Sequence, residues 1–175
     1  YYEGVIDDTK TETITATYQD VISTYTDKNI TGYKLDRTEN LPLTVSEVVA
    51  NNAIRVYYVK DQFNYTVEYY YEGVIDDTKT ETITATYQDM ISTYTDKIIT
   101  GYKLDRTENL PLTVSEDSGN NIIRVYYVKD QFDYTVEYYY DGVIDDTKTE
   151  TITATYQDVI STYTDKIITG YKLDR

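Results

Sequence analysis

Acidic residues recur where the chain could gather oxygen ligands for a cation. Asp76 and Asp77 are adjacent, and Glu81 follows in the next segment. Carboxylate oxygens are the ligands that Ca²⁺ prefers, but this spacing is not that of an EF-hand loop. We therefore expect a solvated polar turn and no cofactor, with Ca²⁺ binding by these three residues as the alternative.

Nucleophilic catalysis of the usual kind lacks its residues. The sequence has no histidine to act as a base and no cysteine to act as a nucleophile. Carboxylates are plentiful, but nothing in their spacing places two of them across a cleft, as glycoside hydrolysis requires. A crosslink from Lys103 or Lys129 to an amide such as Asn121 is a further option, for which the sequence selects no partner. We expect no enzyme activity.

Tyrosine is very abundant, with 23 residues in a chain of 175. Successive side chains of a strand point to opposite faces, so consecutive tyrosines place rings on both faces of a sheet. Rings on the inner face should fill the core. Outward rings at Tyr70, Tyr126 or Tyr127 either pair across strands or contact a glycan or a neighbouring chain.

The net charge of −15 and the isoelectric point near 4.2 restrict the partners. Nucleic acid binding requires clustered Lys and Arg, so we expect no nucleic acid partner. No apolar run approaches the roughly 20 residues that cross a bilayer, so we expect no membrane insertion in this segment. The absence of cysteine is compatible with the cytosol and with secreted repeats that lack disulfides.

Alternating polar and apolar residues predict the strands that position these side chains. Tyr65, Val67, Tyr69 and Tyr71 fall on one face of the first strand, and the second strand should pair back on the first as a hairpin. The last strand is the most apolar, so we expect it to lie centrally in the sheet. The predicted strands are residues 65–72, 80–86, 102–105, 112–115 and 122–129.

The period changes after the predicted hairpin. Tyr87, Met90, Ile91 and Tyr94 stand at the spacing of one helix face. This pattern predicts a short helix over about residues 88–96, with an irregular loop as the alternative because Ser and Thr are weak helix formers.

The whole pattern is repeated along the chain. Gly4, Gly73 and Gly142 lie 69 residues apart, and most of the residues between them are identical. A fixed period is typical of a tandem array. We divide the chain into residues 1–63, a repeat unit lacking its first strand, residues 64–132, a complete unit, and residues 133–175, a unit lacking its last strands. We expect the sequence to be a window on a longer repetitive chain.

The element order predicts α+β, strand-rich units, each a β-grasp-like mixed sheet with one short helix. The first and last strands of such a unit are parallel neighbours, so the chain enters and leaves at opposite poles and the units form an elongated rod. Residues 129–133 leave little slack between units. Phe63 and Phe132 are the two phenylalanines of the chain, and we expect them to pack between neighbouring units.

The repeated motifs resemble a known family. Val-Glu-Tyr-Tyr-Tyr-Asp-Gly, Tyr-Gln-Asp, Ile-Thr-Gly-Tyr-Lys-Leu and Asn-Asn-Ile-Ile-Arg-Val-Tyr-Tyr-Val-Lys resemble the MucBP (mucin-binding protein) repeats of Gram-positive bacterial surface proteins. The most specific parts are residues 101–104 and 125–128. The resemblance implies a β-grasp-like fold, secretion, and wall attachment or assembly outside the cell.

These observations favour a structural role. We expect the shaft of an extracellular bacterial surface protein or filament, which acts as a spacer or connector and whose partners are neighbouring repeats or copies of itself. One alternative is an adhesin module that binds glycans or mucin through exposed tyrosines. Another is a subunit that self-assembles by strand exchange.

Overall fold

The computed structural model describes residues 1–174. Regular structure in these residues consists mainly of short strands, as expected for a chain rich in Tyr, Thr, Val and Ile. The strands are β1 (Val21–Ile22), β2 (Tyr33–Glu39), β3 (Leu43–Thr44), β4 (Arg55–Lys60), β5 (Gln62–Tyr71), β6 (Val74–Ile75), β7 (Glu81–Thr86), β8 (Met90–Ile91), β9 (Tyr102–Glu108), β10 (Leu112–Thr113), β11 (Ile122–Lys129), β12 (Gln131–Val136), β13 (Tyr139–Tyr140), β14 (Val143–Ile144) and β15 (Glu150–Thr155). Three 3₁₀-helices are described, at Asp8–Lys10, Val49–Asn51 and Ser118–Asn120.

The largest sheet has the strand order β6-β5-β11-β9, and β7 also pairs with β5. β5 pairs antiparallel with β7, which confirms the predicted hairpin, and β11 pairs antiparallel with β9. β11 has a neighbour on each side, so the prediction of a central last strand is confirmed. The chain is therefore strand-rich with mixed and antiparallel pairing.

β5 and β11 are parallel neighbours. The Thr66 N–H donates to the Asn121 carbonyl at 2.9 Å, and the Glu72 N–H donates to the Tyr127 carbonyl at 3.1 Å. The residue numbers of the donor and of the acceptor both increase from the first bond to the second, which is the pattern of parallel pairing. The first copy repeats this arrangement with a parallel bridge between Tyr2 and Tyr58.

The predicted helix over residues 88–96 is wrong. The chain turns at Gln88, whose φ is +67°, and continues into β8, which pairs with β10. The Asp89 carboxylate accepts the Thr86 N–H at 3.0 Å, and the Asp89 N–H donates to the Thr86 carbonyl at 2.9 Å. These local bonds compete with the first turn of a helix, whose nucleation is costly in a segment of weak helix formers.

Packing divides the chain into two compact units. Each unit combines stretches from more than one sequence repeat, and the division into three repeat units stays a prediction from the sequence period. One unit contains Tyr1–Glu68, Thr80–Tyr94 and Asn109–Ile123, and the other contains Tyr69–Lys79, Thr95–Glu108 and the described residues from Arg124 onward.

The core of each unit follows the predicted alternation along the strands. The buried apolar side chains of the first unit are Leu43, Tyr58, Tyr65, Val67, Leu112, Val114 and Ile123, and those of the second are Tyr69, Val125 and Tyr127. Tyrosine contributes much of this core because its ring buries a large apolar area, while the hydroxyls of Tyr58, Tyr69 and Tyr127 reach polar partners.

Candidate structural site at the repeat junctions

At each boundary between consecutive repeats, a single residue separates the last strand of one repeat from the strand that follows. Asp61 alone separates β4 from β5, and Asp130 alone separates β11 from β12. The predicted connector over residues 129–133 is thus almost entirely strand. The first junction consists of Gly32, Tyr33, Lys34, Asp61, Gln62, Phe63 and Tyr87, and the second of Gly101, Tyr102, Lys103, Asp130, Gln131, Phe132 and Tyr156.

The backbone of the aspartate links two repeats. At the second junction, the Asp130 N–H donates to the Gly101 carbonyl at 2.8 Å, and the Asp130 carbonyl accepts the Tyr156 N–H at 2.8 Å. At the first junction, Asp61 makes the same two bonds to Gly32 and Tyr87, at 2.9 and 2.8 Å. The N–H of this residue is thus bonded within its own repeat and its carbonyl is bonded to the following repeat, so both of its backbone groups are satisfied.

The aspartate side chain fixes the conformation further. Asp130 accepts the Gln131 N–H at 2.9 Å and lies 3.1 Å from the Lys103 ammonium. These two interactions lower the pKa of the Asp130 carboxyl. At the first junction, Lys34 at 2.9 Å and the Gln62 N–H together lower the pKa of Asp61. The ion pairs are solvent-exposed, so their main contribution is orientation rather than stability.

A glycine faces an aromatic ring at each junction. Gly32 and Gly101 have φ values of +77° and +80°, which side-chain-bearing residues rarely adopt. A β-carbon on Gly32 would overlap the ring of Tyr87, and one on Gly101 would overlap the ring of Tyr156. Gly170 has a similar φ of +85° but no atom within 4 Å of such a β-carbon. A side chain at either junction glycine is therefore disfavoured twice, by overlap with the tyrosine ring and by the positive φ.

The same tyrosine joins two further rings. The ring centroid of Tyr156 lies 6.1 Å from that of Phe132 and 6.2 Å from that of Tyr102, both in edge-to-face geometry. Tyr87 contacts Phe63 and Tyr33 in the same way, at 6.1 and 6.0 Å. Each such pair contributes about 0.5–1.5 kcal/mol beyond its buried area.

Phe63 and Phe132 each contact a tyrosine of the repeat that follows in the sequence. Phe132 is nevertheless 51% exposed, so it covers one side of Tyr156 rather than filling an enclosed core. The tyrosine, the glycine and the aspartate were not assigned to the junction from the sequence: Tyr87 was placed on the predicted helix face, and Gly101 in the motif at residues 101–104. The available signal was their recurrence at one spacing, in all three copies for the glycine and the tyrosine and in two copies for the aspartate.

Tyr70 and Tyr126 form a cross-strand stack. Their ring centroids are 4.8 Å apart, and the Arg106 guanidinium lies 3.8 Å from the centroid of Tyr126. The Tyr126 hydroxyl donates to Glu108 at 3.0 Å, and burial followed by this bond raises its pKa. Ring contacts therefore already engage Tyr126. The first copy repeats the stack with Tyr1, Tyr57 and Arg37.

Tyr127 is not available to a ligand, so its selection as a contact residue was wrong. It is only 3% exposed and lies on the core face of β11. Its hydroxyl donates to the Asp96 carboxylate and accepts the Lys97 N–H at 3.0 Å. Alternation along the strand places Tyr126 and Tyr127 on opposite faces, and packing decides that Tyr127 faces inward.

Asp76 organises a turn. Its carboxylate accepts the Thr78 N–H at 3.0 Å and the Thr78 hydroxyl at 2.6 Å, and it pairs with Lys79 at 2.9 Å. These bonds, led by that of the Thr78 hydroxyl, lower its pKa. Asp77 is exposed and Glu81 is half-buried at the start of β7. In residues 1–174, no group of three acidic residues is arranged to hold a metal ion.

Asn121 is a fully buried polar residue whose structural role was missed. Its amide oxygen accepts the Ser115 N–H at 2.9 Å, and its amide nitrogen donates to the carbonyls of Ser115 at 2.7 Å and Asn64 at 3.2 Å. Asn52 makes the same pair of bonds to Ser46 in the first copy. The buried amide substitutes for a strand partner, because it satisfies its own polar atoms by bonding to backbone groups of Ser115 and Asn64.

Among the described residues, no helix has the length and apolar character needed to cross a membrane. The sequence matches no protein-family model, and no curated protein is found to be similar to it.

Proposed function

We propose that this chain is a segment of the shaft of an extracellular bacterial surface protein or filament, built from β-grasp-like repeats in tandem. Its role is to space or connect other parts of the assembly. The observation that carries this proposal is the junction, where one aspartate joins strands of successive repeats and bonds to both.

The junction supports a spacer because it restricts bending. Flexible linkers are rich in Gly and Ser and leave their backbone solvated. Asp61 and Asp130 instead have both backbone groups bonded, the N–H to their own repeat and the carbonyl to the next one, and an aromatic ring covers the junction glycine. If each repeat is held in a fixed orientation relative to the next, the array keeps its direction over several repeats. The acidic surface adds repulsion between parallel shafts.

The resemblance to MucBP repeats supports a location at the bacterial cell surface. The alternative of a glycan-binding adhesin is less well supported, because the stacked rings of Tyr70 and Tyr126 and the Arg106 guanidinium already use surface that a sugar would need. Glycan-array binding that disappears in Tyr70→Ala would favour that alternative.

Small-angle X-ray scattering tests the shaft. A compact chain of this length has a radius of gyration of about 16 Å. We expect a clearly larger value, and a maximum dimension that grows by a constant increment when further repeats are added. A value near that of a compact globule, or a maximum dimension that does not grow, would contradict the proposal.

A matched pair of insertions tests the junction itself. A short Gly/Ser insertion after Asp130 should broaden the distance distribution, because it frees the backbone that holds the two repeats. The same insertion after Gly119 lies in an exposed turn whose sequence differs between copies, and it should leave the distribution unchanged. Equal broadening by the two insertions would show that the junction does not hold the two repeats in a fixed orientation.

A further inference from the structure

The two strands through which the chain enters and leaves the complete repeat are neighbours. β5 follows Asp61 directly and β11 precedes Asp130 directly. They are hydrogen-bonded in parallel, from Thr66 to Asn121 and from Glu72 to Tyr127. Tension transmitted through the chain therefore acts on the start of β5 and on the end of β11.

Parallel neighbours resist such tension by shear. Opposite forces on the start of one strand and the end of the other pull along the strands, while the ladder bonds lie across them. All bonds of the pair then carry the load together. Forces applied to the same end of both strands would instead break the bonds one after another. Rupture under force is governed by the barrier to unfolding, so the direction of loading changes the force that is needed.

Side chains reinforce the pair near both of its ends. The Asn121 amide donates to the Asn64 carbonyl at 3.2 Å, beside the start of both strands. At the other end, the Lys129 N–H donates to the Glu72 carboxylate at 2.9 Å. The Tyr71 and Tyr127 rings are stacked with centroids 5.3 Å apart. Sliding β5 along β11 would break these contacts as well as the ladder.

We propose that the β5–β11 pair is a shear clamp, which makes each complete repeat resistant to unfolding when it is pulled along the chain. This adds load bearing to the spacing role and rests on the proposed function only for its biological meaning. The clamp is a property of one repeat, so it would persist in a chain whose repeats were not aligned in a shaft.

Single-molecule force spectroscopy tests the clamp through the direction of pulling. The chain has no cysteine, so pairs of introduced cysteines give unique attachment points. In the full chain, the double variant Gln62→Cys with Gln131→Cys loads β5 and β11 in shear. The double variant Gln62→Cys with Ser118→Cys loads the starts of both strands and peels them apart. All three positions are solvent-exposed.

We expect the shear pair to rupture at a force several-fold higher than the peeling pair at the same loading rate. Denaturant unfolding should give both double variants the same stability, which separates the effect of direction from that of folding. Equal rupture forces in the two directions would overturn the clamp. This outcome is distinct from failure of the shaft, which scattering would report as a compact particle whatever the rupture force.

Discussion

Tyr156→Ala should loosen the second junction, whereas the same change at Tyr18 should have little effect. Tyr18 is the counterpart of Tyr156 in the first copy, and the residues on either side of the two tyrosines are identical. Tyr18 is 57% exposed, whereas Tyr156 packs on Gly101 and on two aromatic rings. The two substitutions thus change the same local sequence and differ in the contacts that are lost.

The magnitude follows from the ring contacts. Tyr156 makes two edge-to-face pairs, with Phe132 and Tyr102, each contributing about 0.5–1.5 kcal/mol. Their loss should lower the free energy of opening the junction by about 1–3 kcal/mol. The exposed Tyr18 belongs to the class of surface positions where substitutions change stability by no more than about 0.5 kcal/mol.

Hydrogen exchange measures this opening directly. The Asp130 amide bonds to the Gly101 carbonyl and the amide of residue 156 bonds to the Asp130 carbonyl, so both exchange only when the junction opens. In Tyr156→Ala, both amides should exchange roughly 5- to 150-fold faster, since about 1.4 kcal/mol corresponds to a factor of ten. In Tyr18→Ala, their rates should be unchanged.

Two outcomes would refute this reasoning. Equal exchange rates at Asp130 in Tyr156→Ala and Tyr18→Ala would show that the ring contacts do not hold the junction. Tyr156→Phe retains the ring and should retain protection. If it exchanged as fast as Tyr156→Ala, the ring packing would not be the cause.

Three further predictions follow from single contacts. Gly101→Ala should destabilise the protein more than Gly170→Ala in denaturant titrations, because both glycines have a positive φ but only Gly101 faces a tyrosine ring. Equal losses of stability would show that overlap with the ring does not contribute. Burial and, next in size, a hydrogen bond to a carboxylate raise the pKa of Tyr58 to about 12. Its contribution to stability is therefore complete below pH ~10 and is lost as the pH rises through about 12. Circular dichroism should report alkaline unfolding in this range, and ionisation of every tyrosine near pH 10 would contradict the prediction. Asn121→Ala should cost about 0.5–1.5 kcal/mol for each hydrogen bond to Ser115 and Asn64 that is lost, whereas Asn120→Ala at the exposed neighbouring position should be nearly neutral.

Much of the secondary structure could be predicted from local patterns. The alternation of Tyr65, Val67 and Tyr69 identified the core face of β5, and the apolar run over residues 122–129 identified β11 with its observed bounds. The helix was mispredicted because Asp89 and Thr86 bond to each other and form a turn in place of a helical first turn. Side-chain periodicity does not report this competition.

The candidate site was predicted less completely than the strands. Phe63 and Phe132 were selected because phenylalanine occurs nowhere else in the chain, and each lies at a junction. The ring that each contacts belongs to a residue more than twenty positions later, at the turn after β7 or β15. Proximity of this kind arises from strand pairing, which a residue pattern does not specify.

The amino-acid sequence by itself determined the repeat period, the strand-rich composition, the faces of the long strands and the acidic charge, because these depend on residue type and spacing. Tertiary structure alone decided that Tyr87 and Tyr156 cover Gly32 and Gly101, and that Tyr127 faces the core. The physical reason is that a contact between distant residues exists only after backbone hydrogen bonds have set which strands are neighbours and in which register.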